Sequence, residues 1–151
     1  MKLLVAVDPS EYALKVARYV AAVARPDVEV TLFSVLPNVS AKMESELYHP
    51  LFSEKMSLLK GVDAQQEEVL HKTMQDCAKI LEQSGIHNVE IVTEKKQNGI
   101  ARDIIAKAGD AQFDTVVVGK RGLSAASAFV LGSVSQKVVN NLKNVTVWVV
   151  E

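Results

Sequence analysis

The sequence is poor in cysteine, in aromatic residues and in charge of one sign. Cys77 is the sole cysteine, which excludes an internal disulfide and favours a reducing, cytoplasmic compartment. The 17 Lys and Arg residues nearly balance the 18 Asp and Glu residues, so the formal net charge is −1. Nucleic acids and acidic membranes usually require a basic excess, and 5% aromatic residues are few for a base-stacking platform. We therefore expect no nucleic-acid partner.

Long apolar runs are also missing. The first run, Leu3 to Val7, ends at Asp8 after five residues, which is too short for the apolar region of a secretory signal. The longest uncharged stretch, residues 122–136, has fifteen residues with glycine and serine among them and falls short of a membrane span. We expect no membrane partner. A chain of 151 residues with 48% apolar content suits one domain, residues 1–151, with its own core.

Apolar segments of strand length alternate with segments of helical period, which predicts an α/β domain with a mostly parallel sheet. Residues 38–61 carry scattered apolar positions broken by Pro50 and Gly61, and two interpretations stay open for them: core contacts or a lid over a crevice. The predicted strands are residues 2–8, 28–35, 89–95, 115–118 and 145–150. The predicted helices are residues 9–24, 62–84, 100–111 and 134–142, with Gly85 as the cap of the second.

A glycine pattern follows the fourth predicted strand. The segment 116–136, VVVGKRGLSAASAFVLGSVSQ, runs from an apolar strand into Gly119, has a second glycine at 122, and opens the next helix with Gly132-Ser133. Glycine at a strand end lets a sugar or phosphate approach the main chain, and a helix N-terminus attracts an anion. The spacing is neither that of a Walker loop nor G-x-G-x-x-G. It still indicates a nucleotide site.

This spacing, G-x-x-G, nine residues, then G-S, resembles the nucleotide-binding pattern of the universal stress protein family. The resemblance covers nearly the whole chain and implies an open, Rossmann-like, five-stranded parallel sheet in the order 3-2-1-4-5, with helices on both faces. The ligand crevice is then expected where the first and fourth strands end, at Asp8 and Gly119. Further matching positions are the first strand LLVAVDPSE, Phe33-Ser34-Val35, the pre-helix Gly99 and the ending VWVV.

The resemblance also implies roles for single residues at the nucleoside end of the ligand. Asp8 would face the nucleoside, and the main chain of Val35 would hydrogen-bond the adenine edge. Gly119 and Gly122 would admit the ribose and phosphates of ATP, ADP or AMP.

The phosphate end is expected at the next helix. Gly132, Ser133 and Val134 would offer main-chain N–H groups, with the Ser133 hydroxyl, and Mg²⁺ or Mn²⁺ would balance the charge of the phosphates. Lys120 and Arg121 are either further phosphate contacts or solvated loop charges.

Each of these residues also has a structural interpretation that needs no ligand. Asp8-Pro9-Ser10-Glu11 is typical of a capping box with proline in the first helical position, and residues 133–136 form a second such pattern that would make Ser133 a cap. The glycines could be turn residues, although their joint spacing favours a ligand site.

Cysteine and histidine give no sign of chemistry. Cys77 lies on the apolar side of its predicted helix, which favours a buried and inert thiol. His49, His71 and His87 lack any metal-ligand spacing, so we expect surface or capping roles for them. No catalytic residue and no protein metal site are predicted.

The function implied by the resemblance is that of an ATP-binding regulatory domain of the stress response. The terminal strand, residues 145–150, is strongly β-prone and would lie at a sheet edge, where the family commonly forms a homodimer. Two alternatives stay open: a slow ATPase or autophosphorylating enzyme at the same site, and a scaffold dimer that binds no nucleotide.

Overall fold

Five parallel strands form one sheet in the computed structural model, which describes residues 1–36, 53–110, 112–122 and 131–151, with the backbone alone for residues 53–60. The strand order, β3-β2-β1-β4-β5, confirms the order 3-2-1-4-5 and the α/β class expected above. The strands are β1 Lys2–Ala6, β2 Glu29–Leu36, β3 Asn88–Lys95, β4 Thr115–Gly119 and β5 Thr146–Val150.

Four helices connect these strands within the described residues: α1 Glu11–Val23, α2 Ser53–Gln83, α3 Ile100–Asp110 and α4 Ser133–Asn141. Their ends match the predicted bounds closely except at α2, which begins at Ser53 rather than at residue 62. Gly61, expected to interrupt the pattern, lies inside this helix of 31 residues. One interior glycine costs about 1 kcal/mol relative to alanine, too little to end a long helix. Residues 37–52 lie outside the described residues. The two interpretations of the segment 38–61, core contacts or a lid, therefore stay predictions for most of that segment.

Two apolar cores lie on the two faces of the sheet because successive side chains of a strand point to opposite sides. Leu3 and Val5 of β1 face the core formed with α1 and α2, whereas Leu4 between them faces the core formed with α3 and α4. All three side chains are almost fully buried. The helices therefore cover both faces, as expected for a mostly parallel sheet.

The connections place the crevice. The chain leaves β1 through α1 toward β2, and it leaves β4 through α4 toward β5, so the two neighbouring strands send their connections in opposite directions. Because the connections diverge, a gap is left at the carboxyl ends of β1 and β4, which is where open α/β sheets bind ligands.

Two further features of the fold match the sequence. Gly85 has φ +93 and its N–H donates to the Glu82 carbonyl 3.0 Å away, which confirms it as the cap after α2. None of the helices within the described ranges combines the length and the apolar character that crossing a membrane would need.

Candidate functional site

Asp8 and Gly122 meet at the carboxyl ends of β1 and β4. The two strands pair from Leu3 opposite Thr115 to Val5 opposite Val117, so the segments that follow them emerge side by side. A Cβ atom added to Gly122 would overlap the Asp8 carboxylate. The sequence placed Asp8 and Gly119 at these strand ends, and the structure adds the second glycine, Gly122, beside Asp8. A side chain at position 122 would displace the Asp8 carboxylate.

The capping interpretation of Asp8 is wrong. Helix α1 begins at Glu11 with Ser10 in the N-cap position, and Pro9 precedes the helix instead of opening it. The helix starts two residues later than that capping box requires, so Asp8 lies before the N-cap position. Its carboxylate accepts a hydrogen bond from the Ser10 hydroxyl at 2.5 Å. The carboxylate is thereby held at the entrance of the crevice.

Gly119 lies where the main chain folds back on itself. A Cβ atom at this position would be 2.8 Å from the carbonyl oxygen of Arg121 and 3.5 Å from a methyl group of Val16. The first distance is shorter than side chains tolerate, and the obstacle is backbone, so a larger residue would force the turn to shift. Glycine at 119 is therefore required by the turn itself, whether or not a ligand binds.

Three hydrogen bonds fasten this turn to the start of α4 and to β5. The Lys120 N–H donates to the Val150 carbonyl at 2.6 Å, and the Lys120 carbonyl accepts from the Gly132 N–H at 2.9 Å. The Ser135 hydroxyl donates to the Gly119 carbonyl at 2.6 Å. The loop after β4 and the first turn of α4 are thus held in fixed positions relative to each other.

The start of α4 differs from the predicted cap. Gly132 is the N-cap residue, with φ −57 and ψ 150, and Ser133 is the first residue of the helix, so the capping-box role of Ser133 is wrong. The Gly132 N–H is already used by Lys120. The first-turn N–H groups of Ser133, Val134 and Ser135 have no acceptor within the helix, as at every helix N-terminus. They form the positive end of the α4 dipole beside the crevice.

One cavity of about 270 Å³ lies among these groups. It is lined by Asp8 after β1, by the glycine turn after β4 and by the first residues of α4. Of the predicted site residues, the following line it: Asp8, Gly119, Arg121, Gly122, Gly132, Ser133 and Val134.

A second cavity, of about 390 Å³, adjoins the first along Val7, Asp8, Ile100 and Ile104. One wall is the end of β2, including Val35, and the other is the middle of α2. The predicted nucleoside residue Val35 therefore lies in the neighbouring compartment of the same crevice.

The main chain of Val35 faces the β1 side of β2. The Phe33 carbonyl accepts the Val7 N–H at 2.8 Å on that side, and the Leu36 carbonyl accepts the Lys96 N–H at 2.9 Å on the β3 side. Carbonyl groups alternate along a strand, so the N–H and C=O of Val35 point to the β1 side. Because β1 ends at Ala6, these two groups lie past its end, at the second cavity.

Sequence analysis missed the contribution of α2 to this cavity. Val62 and Val69 line it together with Gln65 and Gln66, and both valines are 48% exposed. A spacing of seven residues puts the valines on one face of the helix, with the glutamines between them, and that periodicity was the available signal. Ser135 was missed as well, since it lies two residues beyond the family pattern.

Arg121 and Lys120 are not simple solvated charges. Their side chains are about one quarter exposed and both approach Glu151, at 3.5 Å from Arg121 and 2.7 Å from Lys120. The hydrogen bond and charge of Lys120, with a smaller effect of Arg121, lower the pKa of Glu151. Arg121 also lines the glycine cavity, whereas Lys120 lines a separate small pocket with Glu151. The structure thus assigns Arg121 but not Lys120 to the glycine cavity, a distinction that the sequence alone could not make.

Cysteine and histidine take the places expected for them. Cys77 is fully buried and its Sγ lies 3.6 Å from the Ala13 carbonyl. Burial, with a smaller effect of the Asp76 charge, raises the pKa of the Cys77 thiol to about 12. His71 and His87 are exposed, and His49 lies outside the described residues. Within the described part of the chain, no three His, Cys, Asp or Glu residues are grouped closely enough to hold a metal ion.

The sequence model of the universal stress protein family matches residues 1–151. The chain belongs to this family. No curated protein matches it significantly in sequence. Solved structures of family members share the Rossmann-like fold across the whole chain. Universal stress protein UspA from Lactobacillus plantarum has a TM-score of 0.74 and 20% identity, covering 100% of this chain and 97% of that one.

Two further family members were solved with nucleotides. The Archaeoglobus fulgidus protein in complex with dAMP has a TM-score of 0.67 and 22% identity, with 100% of this chain and 98% of that one covered. A universal stress protein in complex with cAMP has a TM-score of 0.64 and 18% identity, with 100% and 96% covered. At these identities the likeness shows the fold of this family member rather than its ligand.

Proposed function

We propose that this universal stress protein is a cytoplasmic regulatory domain of the stress response that binds an adenine nucleotide, with ATP as the main ligand. The observation that carries the proposal is the cradle at the ends of β1 and β4. There Gly119 and Gly122 leave no room for side chains, and the N-terminus of α4 is fixed beside them. The cradle lies at the position of the sheet where α/β folds bind ligands.

The phosphate end of the nucleotide is assigned to α4. The first-turn N–H groups of Ser133 and Val134, the Ser133 hydroxyl and the positive end of the helix dipole suit an anion. Arg121, which lines the same cavity, adds a full positive charge. These groups explain how a chain with a net charge of −1 can hold phosphates without a basic surface.

The base and sugar are assigned to the second cavity. The N–H and C=O of Val35 offer one donor and one acceptor, which is the pattern needed for the adenine N1 and N6 edge. The apolar walls from Val62 and Val69 suit the faces of a base. Asp8 lies between the two cavities, where a carboxylate can accept hydrogen bonds from ribose hydroxyl groups.

A divalent cation is expected to arrive with the nucleotide. Mg²⁺ or Mn²⁺ is usually held by phosphate oxygens and one or two carboxylates rather than by an all-protein cage. Asp8, the carboxylate that lines both cavities, is assigned to the ribose, so the phosphate oxygens are expected to hold the cation. The cation would neutralise phosphate charge, while the N-terminus of α4 would position the phosphates. Family members solved with dAMP and with cAMP support the choice of an adenine nucleotide.

The proposal is tested by the content of the purified protein. We expect ATP or ADP to be released on denaturation, or Mg-ATP to bind the emptied protein in calorimetry. Following ADP release over hours, with Ser133→Ala as the comparison, separates a binder from a slow ATPase. A protein that carries no nucleotide and does not respond to millimolar Mg-ATP would contradict the proposal.

A matched pair of glycine variants locates the site. The backbone dihedral angles of Gly132 are ones that any residue adopts, so Gly132→Val causes no backbone strain. Its Cβ atom would lie 3.4 Å from the Lys120 carbonyl oxygen and would crowd the phosphate end of the crevice. We expect at least a tenfold loss of ATP affinity, about 1.4 kcal/mol. Gly109→Ala in α3 meets open space and should bind like the wild type. Unchanged affinity in Gly132→Val would place the site elsewhere.

A further inference from the structure

A wide groove of about 850 Å³ runs between α3 and α4. It begins at the carboxyl edge of the sheet, where Ile100, Ser133 and Val134 line both the groove and the glycine cavity. From there it follows α4 as far as Asn141, the last residue of that helix. The nucleotide crevice therefore continues into the groove at the point assigned above to the phosphates.

The groove is positively charged. Lys96, Arg102 and Lys137 line it, and no Asp or Glu does so among the described residues. The acidic residues nearby in sequence have other partners, since Glu94 pairs with Lys107 at 2.7 Å and the Asp103 carboxylate accepts the N–H groups of Gln97 and Asn98. Three cations thus face one cavity in a chain whose total charge is −1.

The cations continue the line of phosphate-binding groups. Ser133, Lys137 and Asn141 follow one another at intervals of four residues, so they lie on one face of α4, and all three line the groove. Lys137 is about 6 Å further along the helix axis than Ser133. Arg102 lies across the groove, in the first turn of α3. A phosphate chain that passes the N-terminus of α4 would enter the groove between these two side chains.

We propose that the groove between α3 and α4 binds the distal phosphates of an adenine nucleotide with more than three phosphates. This inference rests on the proposed function, because it extends the same site. Its consequence is a preference for long phosphate chains over AMP and cyclic nucleotides. Two kinds of ligand carry such a long phosphate chain: a nucleoside tetraphosphate and a dinucleoside tetraphosphate. The second nucleoside of the latter would lie against the apolar side chains of Ile105 and Val134.

Calorimetry with the full chain tests the groove. The ligands are AMP, ADP, ATP, adenosine tetraphosphate and diadenosine tetraphosphate, each with Mg²⁺ at one ionic strength. We expect affinity to rise along the series, with adenosine tetraphosphate binding about fivefold more tightly than ATP. Tighter binding of the dinucleotide than of adenosine tetraphosphate would assign the groove to the second nucleoside as well, and weaker binding would assign it to phosphates alone.

The double variant Arg102→Gln with Lys137→Gln removes two of the three charges. We expect it to weaken tetraphosphate binding about tenfold and AMP binding less than twofold. Lys72→Gln, an exposed cation on α2 away from the groove, is the matched control and should change neither. Unchanged circular dichroism and Tm verify the folds of both variants.

The outcomes distinguish the proposal for the groove from the proposal for the nucleotide site. Two results would contradict phosphate binding in the groove while leaving nucleotide binding in place. One is equal affinity of the wild type for ATP and adenosine tetraphosphate, and the other is an equal loss of affinity for AMP and tetraphosphate in the double variant. Failure of every nucleotide to bind the wild type overturns both proposals.

Discussion

The hydroxyl of Ser135 donates a 2.6 Å hydrogen bond to the carbonyl oxygen of Gly119. It joins the first turn of α4 to the last residue of β4 across sixteen positions of sequence, and the Ser135 side chain is buried. The two parts of the proposed phosphate site are therefore held together before any ligand arrives. Preorganised donors of this kind reduce the ordering cost of binding.

Ser135→Ala should destabilise the protein. The variant leaves the partly buried Gly119 carbonyl without its side-chain donor, which costs about 1 kcal/mol. We expect a lower midpoint in urea denaturation with an unchanged slope, and a weaker affinity for ATP because the start of α4 is less firmly held.

Ser133→Ala is the matched control two residues away. Ser133 is exposed and is not the N-cap residue of α4, so the unfolding free energy should change by less than about 0.5 kcal/mol. Its ATP affinity should nevertheless fall, because the proposed contact of its hydroxyl with phosphate is lost. Equal stability of the two serine variants would show that the Ser135 bond contributes little.

Gly122 and Asp8 should be coupled energetically. Gly122→Ala places a methyl group on the Asp8 carboxylate, which has to move away from its hydrogen bond with Ser10. We expect Gly122→Ala to destabilise the otherwise unchanged protein by about 1–3 kcal/mol and Asp8→Ala to remove most of this cost. A double-mutant cycle of unfolding free energies measures the coupling. Additive effects of the two substitutions would contradict the contact.

The sequence predicted the fold, and it predicted which residues lie together at the crevice, because both depend on patterns that extend over many residues. The alternation of apolar segments indicated the α/β class, and the family resemblance implied the strand order. The resemblance also implied that Gly119, Gly122 and Gly132 would lie at the crevice with Asp8, and all four residues line one cavity. These features tolerate shifts of one or two residues.

The details that sequence missed depend on single hydrogen bonds. The capping-box pattern fits the chain only with Asp8 as the cap, because Ala13 rather than Glu or Gln lies three residues after Ser10. The helix nevertheless begins after Ser10, so the local pattern was misleading here. The Gly132 N–H is used by Lys120, a partner twelve residues away that no local pattern indicates. The start of α2 at Ser53 is a similar case, since a helix extends as long as each added residue gains a bond.

Cys77 should make the stability depend on pH in the alkaline range. Its thiol has a pKa of about 12 in the folded protein against a usual value of 9.0, so the unfolded chain loses the proton first as pH rises. The contribution is fully present below pH 9 and decreases between about 9 and 12, by at most about 1.4 kcal/mol per pH unit.

The comparison with Cys77→Ala isolates this effect from the titration of lysines and tyrosines. We expect the variant to be less stable than the wild type at pH 7, because a small cavity replaces the sulfur, and the difference to shrink as pH rises from 9 to 10.5. Urea denaturation at each pH measures it. A constant difference across this range would contradict the raised pKa.

The two edges of the sheet differ in a way that favours β5 for the homodimer that the family resemblance implies. The outer strand β3 carries Glu90, Glu94 and Lys95, and charges on an edge discourage pairing with another chain. The opposite edge, β5, is TVWVV without a charge, and Val149 is 40% exposed. A two-fold axis would pair β5 with its own copy and cover this surface in both subunits.

Val149→Glu should therefore convert a dimer into a monomer, because like charges would meet across the axis and an apolar contact would be lost. Ile91→Glu on β3 is the matched control, since Ile91 is 38% exposed on the other edge and its replacement should leave the dimer intact. Sedimentation velocity at several concentrations measures the change. We favour β5 because, of the two edges, only this one combines an uncharged strand with an exposed apolar side chain. A wild-type monomer, or dissociation by Ile91→Glu alone, would exclude β5 as the interface.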